Sequence, residues 1–266
     1  MEEKKKFTIF EFTIWQILGY FIIYSILGYI IETLFGFFTK GVLESRKSFL
    51  YGPFCGIYGV GAVIMIISLQ KFKKNNYTLF VGGFIVGSIV EYMVSLLGEL
   101  ILNVKWWDYS DRFLNLGGRV CFTFSLFWGL LAIYLMTHFN PLVDRLIAKI
   151  KGKFSKRAGK IIIVVMTIFM LVDCIITGVA LKLFYERLVY NFDLNIKNAE
   201  EYKQSYEESY SKEWIRHITK TYFSDKKMLR TFPNLKITAT NGEIIYVDSL
   251  FPDIQPYYIK LFEPER

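Results

Sequence analysis

Four carboxylates lie within long apolar runs of the sequence: Glu32, Glu91, Glu99 and Asp173. An ionisable side chain at bilayer depth costs roughly 2.5–3.5 kcal/mol on insertion scales, so each marks a functional site unless it only fixes packing. Tyr24, Gly28 and Glu32 recur at four-residue spacing, as do Gly83, Gly87, Glu91 and Ser95. That spacing puts each set on one helix face. Small residues let a neighbouring backbone approach, so such a face turns inward and takes its carboxylate with it. The alternative is structural, each glutamate bonding an arginine or hydroxyl to fix the helices. Asp173 stands in mid-span with Thr177 one turn later, where it needs a hydroxyl, another helix or a proton as partner.

Two cations between the apolar runs, Arg46 and Arg119, are candidates to pair with Asp108 or the glutamates. The segment Trp106-Trp107-Asp108-Tyr109-Ser110-Asp111 reads either as a lid over a polar centre or as an aromatic belt at the membrane surface. The candidate centre is therefore Glu32, Arg46, Glu91, Asp108, Tyr109, Arg119 and Asp173. Gly28, Gly52, Pro53, Cys55, Tyr58, Gly59, Gly87, Trp106 and Trp107 are expected to serve loop geometry and packing. Gly52-Pro53 marks a tight turn, proline suiting the first turn of the helix that follows.

Other chemistries find no support. GxxxxGK[ST], HExxH, GxSxG and a dinucleotide fingerprint are all missing. Cys55, Cys121 and Cys174 form no CxxC and have no histidine near them, which predicts neither a metal nor a disulfide framework. No catalytic residue and no cofactor is expected, and an enzyme is the weaker reading.

The elements that must carry these residues follow from composition. The chain has 266 residues, 53% hydrophobic and 18% aromatic, with a mean hydropathy of +0.32. That is too apolar for an ordinary soluble domain of this size. Crossing a hydrocarbon core of roughly 30 Å takes about 20 apolar residues, and five stretches qualify: 14–38, 54–70, 78–102, 119–139 and 161–183. The first is too long for a cleaved signal sequence and lacks a small-residue cleavage site. The expected fold is an all-α polytopic membrane protein of about five transmembrane helices. A transmembrane domain, 1–189, is followed by a small soluble α+β segment, 190–266.

The net charge of +8 divides into +9 for residues 1–189 and −1 for the remainder. The basic excess belongs to the membrane part, so the partner it indicates is a bilayer rather than a nucleic acid. Lysine and arginine in short loops set orientation. Thirteen of them, dominated by loop 140–160, fall inside if the N-terminus is inside, against eight outside. Five helices then leave the C-terminal tail outside.

In the tail, Tyr202, Tyr206, Tyr210 and Trp214 form a stripe at helical spacing, read as a docking face. Asn241-Gly242 between β-rich runs is a strong hairpin signal.

The membrane part also looks internally repeated. Gly28-x-x-x-Glu32 is followed by Arg46-x-x-Phe-Leu-Tyr-Gly-Pro-Phe-Cys55, and Gly87-x-x-x-Glu91 by Arg112-Phe-Leu-Asn-Leu-Gly-Gly-Arg-Val-Cys121. An even number of crossings separates the copies, so they would run in the same direction, as parallel helix–loop–helix units.

The run Phe49-Leu-Tyr-Gly-Pro-Phe-Cys-Gly-Ile-Tyr-Gly59, with Glu91-Tyr92, Trp106-Trp-Asp-Tyr-Ser110 and Asn115-Leu-x-Gly118-Arg-Val-Cys121, resembles the CmpB-like ABC-transporter permease family (ABC-transporter type IV). The likeness covers about residues 15–145. It implies a small bacterial multi-spanning membrane protein acting in transport, with a separate cytoplasmic ATPase subunit. It carries no catalytic residues to transfer and leaves homo-oligomerisation open. Two alternatives stand beside it: a membrane-anchored scaffold or sensor, and a lipid-binding membrane enzyme.

Overall fold

A computed structural model describes residues 8–9, 12–102, 105, 107–153 and 155–261. Two short strands, β1 (Thr8–Ile9) and β2 (Phe12–Thr13), pair antiparallel and lead into helix α1, Ile14–Lys40. A reciprocal box starts that helix. The Thr13 backbone N–H donates to Gln16 Oε1 at 3.0 Å, and the Gln16 N–H returns to Thr13 Oγ1 at 3.4 Å. Strand β3 (Val42–Leu43) follows, then α2, Gly56–Leu69, extended by a 3₁₀ turn to Phe72.

Helix α3, Asn76–Leu102, opens on the Asn75 side chain, which accepts from the Tyr77 N–H at 2.9 Å. Helix α4, Phe122–Tyr134, runs through a π-helical turn, Leu135–Phe139, into α5, Asn140–Lys153. Pro141 explains that turn. Its ring would clash with the carbonyl four residues back in a regular helix, and widening the preceding turn relieves the clash. Helix α6, Lys156–Phe192, is the longest, at 37 residues.

Among the described residues four helices are long and apolar enough to cross a bilayer: α1, α3, the α4–α5 rod and α6; the apolar α2 is shorter. Phe38, Leu100 and Ile175 are each at least two-thirds exposed. Such faces would aggregate in water and are at home against lipid. The chain is an all-α polytopic membrane protein with small C-terminal strands.

The chain groups into two compact units. One comprises residues up to Tyr29 with Pro53–Val94 and Tyr109–Leu171; the other comprises Ile30–Gly52, Ser95–Asp108 and Val172 onward. The core of the first is built on Tyr20, Tyr24, Met65, Ile66, Leu79 and Ala132. Its helices approach closely at glycines, and they do so twice in the same way. A Cβ on Gly28 of α1 would overlap Tyr58 Cβ of α2, while one on Gly87 of α3 would lie 2.5 Å from Trp128 Cβ of α4. In return, a Cβ on Gly59 would lie 2.7 Å from the Phe21 carbonyl oxygen, and one on Gly129 would lie 2.9 Å from that of Phe80. The α1–α2 and α3–α4 pairs thus share one packing scheme. Cys55 and Cys121 each precede the first turn of the second helix. From there the packed aromatic is three residues on in α2 and seven in α4, so α4 carries one extra turn.

In the second unit the residues after α6 fold into α7 (Ala199–Ser211), α8 (Glu213–Tyr222) and α9 (Asp225–Thr231). The hairpin β4 (Lys236–Thr238) and β5 (Ile244–Tyr246) comes next, then β6 (Ile259–Lys260). The hairpin turns at Gly242, whose φ of +85° suits glycine, and β6 pairs antiparallel with β3. Leu181, Phe184, Leu188, Met228, Leu229 and Ile237 form the core of this unit. Fully burying a side chain such as Phe184 is worth about 1.5–3 kcal/mol where water is the alternative.

The tyrosine stripe docks on the end of α6. Tyr206 stacks on Tyr190 with centroids 4.2 Å apart, and Tyr202 meets Tyr185 edge-on. Trp214 does not join them. The helix breaks at Lys212, and Trp214 sits on α8, 62% exposed.

Candidate functional site

Glu91 is 4% exposed on α3. Both its oxygens are occupied. Oε1 accepts from the Tyr109 hydroxyl at 3.2 Å, and Oε2 accepts from the Trp128 indole N–H at 2.9 Å. Tyr109 is positioned from two sides, its N–H donating to the Gly118 carbonyl at 2.8 Å and its ring stacking on Phe124 at 4.7 Å. Trp128 is set by the close approach to Gly87 and by the Tyr58 ring, 6.5 Å away. One turn before Glu91, Ser88 bonds Ser125 across the same helix pair at 2.7 Å. Among the described residues no cation pairs with Glu91. Its partners are neutral donors, an arrangement that leaves a buried acid able to take up a positively charged group.

A second polar group in this unit escaped sequence reasoning. Tyr20 donates to Asp144 Oδ1 at 2.5 Å, Tyr24 to Asn140 Oδ1 at 3.2 Å, and the Asn140 amide to Asp144 Oδ2 at 3.4 Å. The available signal was Asn140-Pro141 followed by an acid four residues on. Arg119 lies over the Tyr92 ring, 5.8 Å from its centroid, and donates to the Gly117 carbonyl at 3.1 Å.

In the second unit Asp173 is 2% exposed and anchors backbone. Its Oδ1 accepts from the Tyr51 N–H at 3.0 Å and from Thr177 Oγ1 at 3.4 Å, while Thr177 accepts from the Leu50 N–H at 2.8 Å. Asp173 and Thr177 together satisfy two consecutive amides of the loop that precedes Gly52-Pro53. Asp173 Oδ2 is buried with no hydrogen-bond partner among the described residues.

Arg46 pairs with Glu44 at 2.6 Å, a residue the sequence did not single out; Lys40 and Asn234 also reach Glu44, at 3.8 and 3.1 Å. Gly36 leaves room for the Arg46 guanidinium, since a Cβ there would stand 2.9 Å from Nη2. Asp108 lies 3.9 Å from Lys105, and Trp107 is half-buried. Glu32 and Glu99 are half-exposed on their helices. Gly52 takes a φ of +62° in the turn before Pro53, and the Cys55 N–H donates to the Ser25 carbonyl at 2.8 Å. Trp106 lies outside the described residues. The structure thus brings Glu91 and Tyr109 together, adds Trp128, and gives Asp173 and Arg46 local partners of their own. Among the described residues no group of three or more histidine, cysteine or acidic side chains could hold a metal.

Burial lowers the pKa of Lys47, whose ammonium donates to the Leu50 carbonyl at 3.2 Å; Lys227 nearby lowers it further and Asp173 opposes both. Between that depressed value and the ordinary lysine range the unfolded chain binds more protons, so stability rises with pH across this window. The difference in Tm between wild type and Lys47→Gln should therefore grow in favour of wild type as pH rises toward the ordinary lysine range, about 10.4. A difference that stays flat or shrinks would contradict the assignment.

Long apolar helices threaded by close glycine contacts define an integral membrane protein. The family described as "Putative ABC-transporter type IV" (ABC_trans_CmpB) matches residues 19–178, well over half of the chain, and the protein belongs to it. No curated protein and no solved structure matches the chain.

Proposed function

We propose that this chain is the membrane-spanning subunit of a transporter, with Glu91, Tyr109 and Trp128 as its polar centre. The observation that carries the reading is Glu91 itself, buried on an apolar helix and held, among the described residues, by two neutral donors. A group kept only for packing is better served by an amide or a paired charge; a lone carboxylate invites a cation or a proton-bearing substrate group. Arg119 lies in the same unit and belongs to the same reading, whereas Glu32, Arg46, Asp108 and Asp173 lie in the other unit and are left out of this centre. The chain has no phosphate-binding loop, so the power stroke is assigned to a separate ATPase subunit docking on the basic segment 140–160. With the shorter α2 taken as a fifth crossing, the N-terminus is then inside and the tail outside.

Purification of the tagged protein from native membranes tests this. An ATP-hydrolysing partner should co-elute, and Glu91→Gln should lower its turnover about ten- to a hundredfold, the worth of one hydrogen bond to a charged group. Tyr109→Phe combined with Glu91→Gln should be non-additive, because the Tyr109 hydroxyl bonds that carboxylate. No ATPase in the eluate, or full turnover in Glu91→Gln, would remove the basis for the proposal.

A further inference from the structure

The structure assigns a phosphate-binding site to a cleft of about 340 Å³ lined by Arg187, Tyr210, Arg216, Thr219, Lys220, Ser224 and Asp225. Three positive side chains meet one carboxylate there, and that carboxylate is already used: Arg187, 8% exposed, holds Asp225 through Nε at 2.7 Å. Arg187 also donates to the Tyr210 hydroxyl at 2.8 Å and the Phe223 carbonyl at 3.0 Å, which fixes its guanidinium in the cleft wall.

Among the described residues the other two cations have no acidic partner. Arg216 bonds the carbonyls of Tyr210 and Ser211, at 2.6 and 2.9 Å. Lys220, one turn later on α8, forms no ion pair among the described residues. Two hydroxyls are idle as well. Thr219 is 6% exposed with Oγ1 buried and unbonded, and Ser224 makes no side-chain hydrogen bond among the described residues. A buried hydroxyl left unbonded is costly, and several donors converging with excess positive charge are what an anion with several acceptor oxygens requires.

Position narrows the ligand. The apolar run of α6 is residues 161–181, about 31 Å long at the helical rise and so enough to span the hydrocarbon core. Arg187 stands six residues beyond it, about 9 Å further along the axis. The cleft is thus at the depth of lipid headgroups. A phosphate there has two sources, a phospholipid headgroup or a soluble phosphorylated compound. The site is independent of Glu91 and of the transport reading.

The full-length protein in a phosphate-free maltoside detergent provides the test. Thermal unfolding is followed with inorganic phosphate, with phosphatidylglycerol, and with a neutral diacylglycerol glycolipid of the same chains. Phosphate or phosphatidylglycerol should raise Tm by several degrees, whereas the glycolipid should not. A shift with phosphatidylglycerol alone assigns the headgroup; a shift with inorganic phosphate assigns a soluble ligand. Arg216→Ala/Lys220→Ala, two exposed positions, should abolish the shift, measured against that variant's own unliganded Tm. Arg216→Lys/Lys220→Arg should retain it, and Thr219→Val should weaken binding about fivefold or more. No shift with either phosphate ligand, an equal shift with the glycolipid, or a shift that persists in the double-alanine variant would overturn the assignment.

Discussion

Leucine in place of Gly28 or Gly87 should eliminate the monodisperse folded protein. Even the first carbon of a side chain has nowhere to go, because Tyr58 Cβ and Trp128 Cβ already occupy its position. These obstacles sit next to the backbone, where no rotamer change moves them, so the helices themselves must separate. Overpacking of this kind costs typically 1–3 kcal/mol and occasionally more. Alanine should sit within that range, and leucine, with three further carbons, beyond it. The loss matters doubly in lipid. Acyl chains are as apolar as the helix faces, so close van der Waals contact is what holds these helices together. Gly178 supplies the contrast, with nothing within 4 Å of the position a Cβ would take. Gly178→Ala should raise Tm slightly, by the roughly 1 kcal/mol that separates the two residues in a helix interior. Fluorescence-detected gel filtration with a thermal ramp reads all three. A sharp wild-type peak for Gly87→Leu would mean that the α3–α4 contact is not what holds the helices together.

The second large effect is expected from Arg187→Met. Arg187 ties the end of α6 to α7 through Tyr210, and to the start of α9 through Asp225 and the Phe223 carbonyl. Methionine conserves most of the volume but strands all three acceptors. Removing one partner of a buried ion pair costs about 3–5 kcal/mol, and the lower end applies because Asp225 is one-third exposed. Limited proteolysis should then cut within residues 193–224 well before any span is touched, with a fall in Tm. Adding Asp225→Asn removes the stranded charge and should recover part of the loss. If Arg187→Met alone resists protease as wild type does, the packing of α7–α9 owes little to this arginine.

How much of the polar chemistry could be read in advance differs from residue to residue. Glu91 was legible because a carboxylate in a 27-residue apolar helix has no cheap place, and its glycine-lined face points inward. Tyr109 was legible as part of an aromatic segment beside acids. Trp128 was not: an indole in an apolar run is ordinary, and only the packing of α4 on Gly87 aims its N–H at Glu91. Glu44 was passed over because it lies between spans, where charge is expected, although it is 7% exposed and holds Arg46, Lys40 and Asn234. Asp173 stood out by its depth, yet what it grips, the Tyr51 amide 122 residues away, has no sequence signature. The tyrosine stripe was visible as a period of four, but the break at Lys212 that excludes Trp214 was not.

The sequence by itself determined that this chain is an all-α polytopic membrane protein, that glycine–carboxylate units recur, and which family it resembles. Each of these depends on local composition, since lipid admits only segments that satisfy their own backbone. Tertiary structure alone decided the partners: the neutral donors on Glu91, the glutamate on Arg46, the docking of α7 on α6, and the cleft around Thr219. Partner choice depends on where distant segments meet. That is set by glycine contacts a fraction of an ångström from overlap, a quantity no window of residues contains.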